Sequence, residues 1–189
     1  FRAADWGYSS PACCLWFAID YDNNLWVYRE LYTQKITADI FAKKVLDLES
    51  GEYIRYGVLD ASTWARRGDI GPSIAETMIQ AGCRWRPSDR TGRSRISGKL
   101  EIHKRLKVED KEPGIRIFSN CRNLLRTFPT LPLDDSNPED INTHVEDHAY
   151  DALRYGCMSR PIHTSYANKA FGNSNRTANF VPSDKIFGY

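Results

Sequence analysis

Two aspartates four residues apart, with a histidine between them, lie in the segment DHAYDAL at residues 147–153. The segment is predicted to be helical, which puts Asp147 and His148 on the face of Asp151. Carboxylates crowded in this way repel one another, and a bound cation offsets the repulsion. Oxygen ligands favour Mg²⁺ or Mn²⁺, and the histidine favours Mn²⁺ of the two. The segment therefore predicts a divalent-metal site with Asp151 as a ligand and Asp147 and His148 in support.

Two further aspartates stand at the ends of predicted strands. Asp5 follows the apolar start of the chain, and Asp60 ends the stretch YIRYGVLD. A strand that returns through a helix lies parallel in its sheet, and neighbouring strands are about 4.8 Å apart. Open α/β sheets bind ligands at the carboxyl ends of their strands, so Asp5 and Asp60 are predicted to converge there. With Asp151 on a helix across this edge, they would complete a set of carboxylate ligands.

Each of these residues also has an ordinary structural explanation. An aspartate at a strand end commonly forms a turn or caps a helix. Asp147 would stabilise the dipole of its helix, and His148 would be a solvated or hydrogen-bonded histidine. Asp151 fits such an explanation least, because it is expected past the first turn and beside the apolar stripe of the helix. The residues alone leave both explanations open.

The elements that must position these residues follow from hydrophobic periodicity. Three strands begin the chain, and a helix after Thr37, a strand ending at Asp60, a helix over 73–81 and a strand at CRWRP follow them. Further helices are predicted over 96–106, at NCRNLLRTF and over 146–158, with GIRIF as a short strand or extended segment. This order predicts an α/β fold with a central mixed five-stranded sheet flanked by helices.

Charge is distributed unevenly along a chain whose formal net charge is only +2. Residues 84–107 contain nine lysines and arginines against two acidic residues, whereas residues 134–151 contain seven acidic residues and no lysine or arginine. The basic segment includes SDRTGRSR, which lacks apolar periodicity and is expected to be a mobile loop. It is either an ordinary solvated surface or a site for a polyanion such as DNA. The candidate polyanion contacts are Arg66, Arg67, Arg90, Arg93, Arg95 and Lys99.

The chain has the length of one domain with a tail. Residues 1–159 carry the predicted elements, whereas residues 160–189 are rich in polar and small residues and are expected to be loosely ordered or docked. The five cysteines, without C-x-x-C spacing, are expected to be reduced, as in a cytosolic protein. The sequence contains no membrane-span pattern, secretory signal or G-x-x-x-x-G-K-[ST] phosphate loop. Because it starts at Phe1 inside a predicted strand, we expect a piece of a longer polypeptide.

Three motifs, AADWGYSSPACCLWFAID, YGVLDAS and EDHAYDALRYG, resemble the acidic motifs of the C-terminal nuclease domain of the large terminase subunit of tailed bacteriophages. The resemblance covers most of residues 1–159, and D-H-x-x-D-A-L-R-Y is its most specific part. It implies an RNase H-like fold in which Asp5, Asp60 and Asp151 hold two divalent metal ions, Mg²⁺ or Mn²⁺. The implied activity is endonucleolytic cleavage of concatemeric double-stranded viral DNA during genome packaging. The candidate polyanion contacts would then be the predicted DNA contacts, and because phosphate contacts carry no sequence information, low sequence specificity is expected.

The resemblance also implies the setting of this activity. It implies a packaging ATPase domain N-terminal to this chain, contacts with the portal and the small terminase subunit, and a location in the cytoplasm of the infected bacterial host. Two alternatives stay open. An RNase H-like nuclease could instead cut DNA junctions or RNA/DNA hybrids, and a non-catalytic module could grip DNA while its acidic residues cap turns.

Overall fold

A computed structural model of the chain describes residues 1–66, 71–108 and 112–161. In chain order, its strands are β1 (Arg2–Asp5), β2 (Ala12–Ile19), β3 (Leu25–Thr33), β4 (Gly57–Leu59), β5 (Arg86–Pro87) and β6 (Ile115–Ile117). They form one sheet in the order β5-β4-β1-β2-β3-β6. The pairs β1–β2 and β2–β3 are antiparallel, and the pairs β1–β4, β4–β5 and β3–β6 are parallel. The sheet is therefore mixed, as the sequence predicts.

Helices cover both faces of the sheet. They are α1 (Ala38–Leu48), α2 (Ile74–Gln80), α3 (Ser94–Leu106), α4 (Arg122–Thr127) and α5 (His148–Met158), with 3-10 turns at Ala61–Trp64 and Phe128–Thr130. One apolar cluster joins a face of the sheet to α1 and α2, and a second joins the opposite face to α3, α4 and α5. Helix α5, which contains His148 and Asp151, is thus packed on the sheet through the second apolar cluster.

Burial on both faces explains why β2 has a continuous apolar sequence, ACCLWFAI. Cys13 and Leu15 point into the cluster under α5, and Cys14 and Trp16 point into the cluster under α1. Helix α5 comes very close to this strand at Gly156. A β-carbon at Gly156 would lie 2.4 Å from the ring of Phe17, so only glycine fits there without a shift.

The central pairing brings the ends of two strands together. Strand β4 lies parallel to β1 with Leu59 opposite Ala4. The Asp60 amide then donates a hydrogen bond to the Ala4 carbonyl at 3.1 Å. Asp5 and Asp60 therefore follow neighbouring strands at the same edge of the sheet, which confirms the predicted parallel pairing.

The structure corrects three details of the predicted elements. The sheet has six strands rather than five, because Ile115–Ile117 pairs with the outer edge of β3. Helix α5 begins at His148 rather than 146, which puts Asp151 in its first turn rather than past it. Helix α3 begins at Ser94, so Arg95 belongs to a helix and not to the basic loop. Local patterns locate such ends poorly, because short strands and helix starts depend on their partners.

Some predictions fall outside the part of the chain that the structure describes. These are Arg67 and most of the predicted tail, residues 162–189. Within the described ranges, no helix combines the length and the apolar character needed to cross a membrane.

Candidate metal centre

Asp5 and His148 form the contact at the centre of the site. Nδ1 of His148 lies 2.9 Å from Oδ2 of Asp5, at the last residue of β1. The pKa of the Asp5 carboxyl is raised to about 7, mainly by burial; the charges of Asp151 and Asp60 add to this rise, and the His148 hydrogen bond opposes it. The same hydrogen bond raises the pKa of His148. Asp5 is therefore a buried acid whose pKa is raised further by the charges of the other two predicted ligands.

Asp151 lies between two arginines. Its Oδ1 accepts a hydrogen bond from Nε of Arg154 at 3.0 Å, and its Oδ2 is 3.4 Å from Nη1 of Arg95. Only 8% of Asp151 is exposed, although it is an acidic residue. A buried carboxylate needs such partners, because burial without a counter-charge is costly. Asp151 is thus held by cations of the protein itself.

Asp147 is also buried beside Asp151. It occupies the N-cap position of α5, but its side chain makes no capping hydrogen bond. Burial, followed by the charge of Asp151, raises the pKa of its carboxyl to about 6. Its nearest cation is Nη2 of Arg95, at 3.9 Å from Oδ2. Capping does not account for Asp147, whose side chain belongs to the acidic cluster.

Asp60, by contrast, acts as a cap. Its carboxylate accepts hydrogen bonds from the amide of Ser62, at 3.2 Å, and from the Ser62 hydroxyl. It thereby caps the 3-10 turn Ala61–Trp64. The ordinary explanation of a strand-end aspartate describes this side chain, even though its charge acts on Asp5.

The residues fit a divalent cation in chemistry, although their side chains are engaged elsewhere. Within residues 1–66, 71–108 and 112–161, no three histidine, cysteine or acidic side chains are grouped so that they could hold one ion. The carboxylates of Asp5, Asp60 and Asp151 are hard oxygen donors, and the last two disfavour the charged form of Asp5. A cation among them would relieve that repulsion.

The predicted DNA contacts divide into two groups. Arg90 and Arg93 are exposed, and the Arg66 side chain is 70% exposed and lies 3.4 Å from Glu76. Arg95 instead contacts the acidic cluster, and Lys99 donates a hydrogen bond to the carbonyl of Pro138 at 3.2 Å. The first group is available at the surface, while the second ties α3 to the acidic segment.

Two residues of this site were not singled out from the sequence. Asp140 accepts a hydrogen bond from Nε of Arg95 at 2.8 Å, and Arg154 holds Asp151. The spacing of three residues between Asp151 and Arg154 is a helical ion-pair spacing, so this contact left a signal. The sequence gives no indication of the contact between Asp140 and Arg95 beyond the place of Asp140 in the acidic stretch, because the two residues are 45 positions apart.

A groove with a volume of about 530 Å³ opens beside His148. It is lined by the turn after β1, which includes Trp6 and Tyr8, by the start of α1 at Thr37 and Ala38, and by Ile74. His148 is the lining residue that contacts Asp5, and no carboxylate of the acidic cluster is among the lining residues that the structure describes.

Comparisons with known proteins give matches in structure only. No protein-family model and no curated protein matches the chain. The nuclease domain of the large terminase of phage P22 superposes with a TM-score of 0.63 and 18% identity, over 84% of this chain and 79% of that domain. The large-terminase nuclease domain of bacteriophage SPP1, solved with bound Mn, gives 0.59 and 19%, over 82% of each chain.

A longer protein gives a similar match. The large terminase of a thermophilic bacteriophage, solved in complex with ATP-gamma-S, superposes with a TM-score of 0.66 and 12% identity. The match covers 82% of this chain but only 38% of that longer protein. At such identities a structural likeness establishes the fold and leaves function to the site. The chain has the RNase H-like fold that large-terminase nuclease domains of several bacteriophages share.

Proposed function

We propose that residues 1–159 form a divalent-metal-dependent endonuclease domain that cleaves concatemeric double-stranded viral DNA during genome packaging. The observation that carries this proposal is the contact of Asp5, at the end of β1, with His148, the first residue of the helix that also contains Asp151. The shared fold supports it, as does the Mn bound in the SPP1 nuclease domain. Oxygen donors suit Mg²⁺ or Mn²⁺, and we propose two ions.

In this proposal, Asp5, Asp60 and Asp151 are the metal ligands. Two bound ions would supply an activated water and stabilisation of the leaving 3′ oxygen. His148 orients the Asp5 carboxylate through Nδ1, and Arg154 orients Asp151 through Nε. Residues that hold ligands in this way affect metal affinity without contacting the metal.

DNA would be held by its phosphates. The proposed contacts are Arg66, Arg67, Arg90, Arg93, Arg95 and Lys99, of which Arg90 and Arg93 are exposed near the start of α3. Phosphate contacts carry no sequence information, so low sequence specificity is expected. In this proposal one strand would approach Asp5 from the side of His148, which lines the groove and contacts Asp5.

The proposed setting is a packaging machine. The match to the large terminase solved in complex with ATP-gamma-S covers only 38% of that protein. We propose that a packaging ATPase domain works with this nuclease domain, and that the portal and the small terminase subunit are its partners. The place of action would be the cytoplasm of the infected host.

Two observations favour a different function. Asp60 caps a turn, and Asp151 is paired with arginines, as expected in a DNA-gripping module without catalysis. The two functions differ in the effect of metal. A nuclease needs Mg²⁺ or Mn²⁺ for cleavage, whereas a gripping module binds DNA without cutting it under any metal condition.

The test is cleavage of supercoiled plasmid and linear duplex DNA with Mn²⁺, with Mg²⁺ and with a chelator. We expect nicking and cutting with either metal and none with the chelator. Asp5→Asn, Asp60→Asn and Asp151→Asn should each abolish cleavage, because each removes a ligand. The matched control is Asp135→Asn, which changes an exposed aspartate of the acidic segment. Circular dichroism verifies that each variant is folded.

Three outcomes would change the proposal. Wild-type cleavage by Asp60→Asn alone would leave Asp60 as a structural cap. Absence of cleavage by the wild-type protein with both metals would favour the gripping module. Faster cleavage of a four-way junction or of an RNA/DNA hybrid than of duplex DNA would favour a resolvase or hybrid nuclease.

A further inference from the structure

Arg95 occupies the centre of the acidic cluster. Its Nε lies 2.8 Å from Asp140, its Nη1 lies 3.4 Å from Asp151 and its Nη2 lies 3.9 Å from Asp147. These acids come from the loop before α5 and from the start of α5, whereas Arg95 comes from the first turn of α3. One guanidinium thus faces carboxylates from two separate segments.

The two arginines on Asp151 are held differently. Arg154 has only 5% of its side chain exposed and is confined by Gly98 of α3, where a β-carbon would lie 2.4 Å from its Cγ. The Arg95 side chain is 32% exposed. Arg154 is therefore an enclosed partner of Oδ1, whereas the Arg95 side chain is only partly buried beside Oδ2.

The contacts of Arg95 with α5 are also weak in geometry. Charge-assisted hydrogen bonds between nitrogen and oxygen are typically about 2.7–2.9 Å long. Only the contact with Asp140 has such a length, and Nη2 is buried without a hydrogen-bond partner. Arg95 thus balances the charge of Asp147 and Asp151 through one long hydrogen bond to Asp151, while its Nη2 makes no hydrogen bond to Asp147.

We propose that Arg95 is a built-in counter-ion that competes with a divalent cation for Asp151. In the metal-free protein its guanidinium neutralises the carboxylates of α5, and it withdraws from Oδ2 when the cation binds. Asp140 keeps the released side chain at the edge of the site, where it can contact a DNA phosphate. This inference rests on the proposed function, because it takes Asp151 as a metal ligand.

The test is calorimetric titration of Mn²⁺ into the metal-stripped chain, without DNA. Arg95→Ala should bind Mn²⁺ roughly tenfold more tightly than the wild type, a gain of about 1.4 kcal/mol, because the competing guanidinium is removed. The control is Lys104→Ala, which removes a positive charge from the far end of the same helix, where the side chain is 50% exposed. It should change the affinity little, since exposed charges are screened by solvent.

Thermal melts give a second readout. In a chelator, Arg95→Ala should melt below the wild type, because Asp147 and Asp151 lose their counter-ion. Added Mn²⁺ should then raise its melting temperature by more than that of the wild type. If Arg95→Ala does not fold, the Mn²⁺ affinity of Arg95→Lys tests the competition instead. It keeps the charge but not the forked contact, so its Mn²⁺ affinity should lie above the wild-type value.

The outcomes separate this inference from the proposed function. Tighter Mn²⁺ binding in the Arg95 variant, but not in Lys104→Ala, supports the competition. Equal or weaker binding in Arg95→Ala, with clear binding by the wild type, overturns the competition and leaves the nuclease proposal intact. Absence of Mn²⁺ binding in both proteins overturns the metal site itself and the inference with it.

Discussion

Nδ1 of His148 is 2.9 Å from Oδ2 of Asp5, so the first residue of α5 is joined to the last residue of β1. The two residues are 143 positions apart in the chain. Their contact fixes α5 against the sheet edge where Asp60 follows β4. The position of Asp151 therefore depends on how α5 is attached to this edge.

We expect His148→Ala to slow cleavage by about 10- to 100-fold without abolishing it, because it removes an orienting partner and not a ligand. Asp147→Asn should be similarly mild, with an altered preference between Mg²⁺ and Mn²⁺. Rates measured against metal concentration test both variants, with His144→Ala at an exposed position as the control. Complete loss of cleavage in His148→Ala would make His148 a ligand.

Glu146 leads into α5 and should make stability depend on pH. Hydrogen bonds from Arg126, and next from Tyr32, lower the pKa of its carboxyl to about 2. A lowered pKa means that its contribution is present above the ordinary value near 4.5 and is lost as pH falls toward 2. At pH 7, Glu146→Gln should lower the melting temperature by only about 2 °C, because the pair is exposed.

The same variant should melt nearly like the wild type near pH 2, where the Glu146 carboxyl is already neutral in the unfolded state and is losing its charge in the folded state. Thermal melts between pH 2 and pH 7 measure this difference. Glu139→Gln, at an exposed position seven residues earlier, is the control and should show no comparable pH dependence. An equal change in melting temperature at pH 2 and pH 7 would contradict a stabilising charge on Glu146.

Gly98 should matter for both stability and cleavage. In Gly98→Ala the added methyl group would meet Cγ of Arg154 and disturb the partner of Asp151. We expect a loss of about 1–3 kcal/mol in the free energy of unfolding and slower cleavage. Gly92→Ala is the control, because a β-carbon there meets no atom within 4 Å. Denaturant unfolding measures the loss of stability, and plasmid nicking measures the loss of cleavage. Equal stability and equal cleavage in Gly98→Ala and Gly92→Ala would contradict close packing of Gly98 against Arg154.

Arg90 and Arg93 are expected to govern DNA affinity rather than chemistry. Replacing both with alanine should flatten the slope of log affinity against log salt by about 0.9 for each phosphate that is no longer bound. Cleavage at saturating DNA should persist, because the acidic residues are unchanged. Fluorescence anisotropy between low and high salt measures the slope. An unchanged slope would move the DNA contact to the region of Arg66, which is 70% exposed.

Local pattern determined much of this protein in advance. Alternation and apolar runs located strands β1 to β4, because both faces of the central strands are buried. The helical crossover predicted that Asp5 and Asp60 follow parallel neighbours, and the register of β1 with β4 confirms it. The spacing in DHAYDAL indicated that Asp147, His148 and Asp151 share one region of a helix.

Tertiary structure alone decided which side chains from distant parts of the chain contact one another. Asp60 and Asp5 both stand at strand ends. Asp60 accepts a hydrogen bond from its near neighbour Ser62, whereas Asp5 contacts His148 of α5. Arg95 was expected in a loop but lies in the first turn of α3, where it contacts acidic residues 45 to 56 positions away in the chain. Local rules describe backbone geometry over a few residues, but a charged side chain goes to whichever counter-charge the packed helices bring near it.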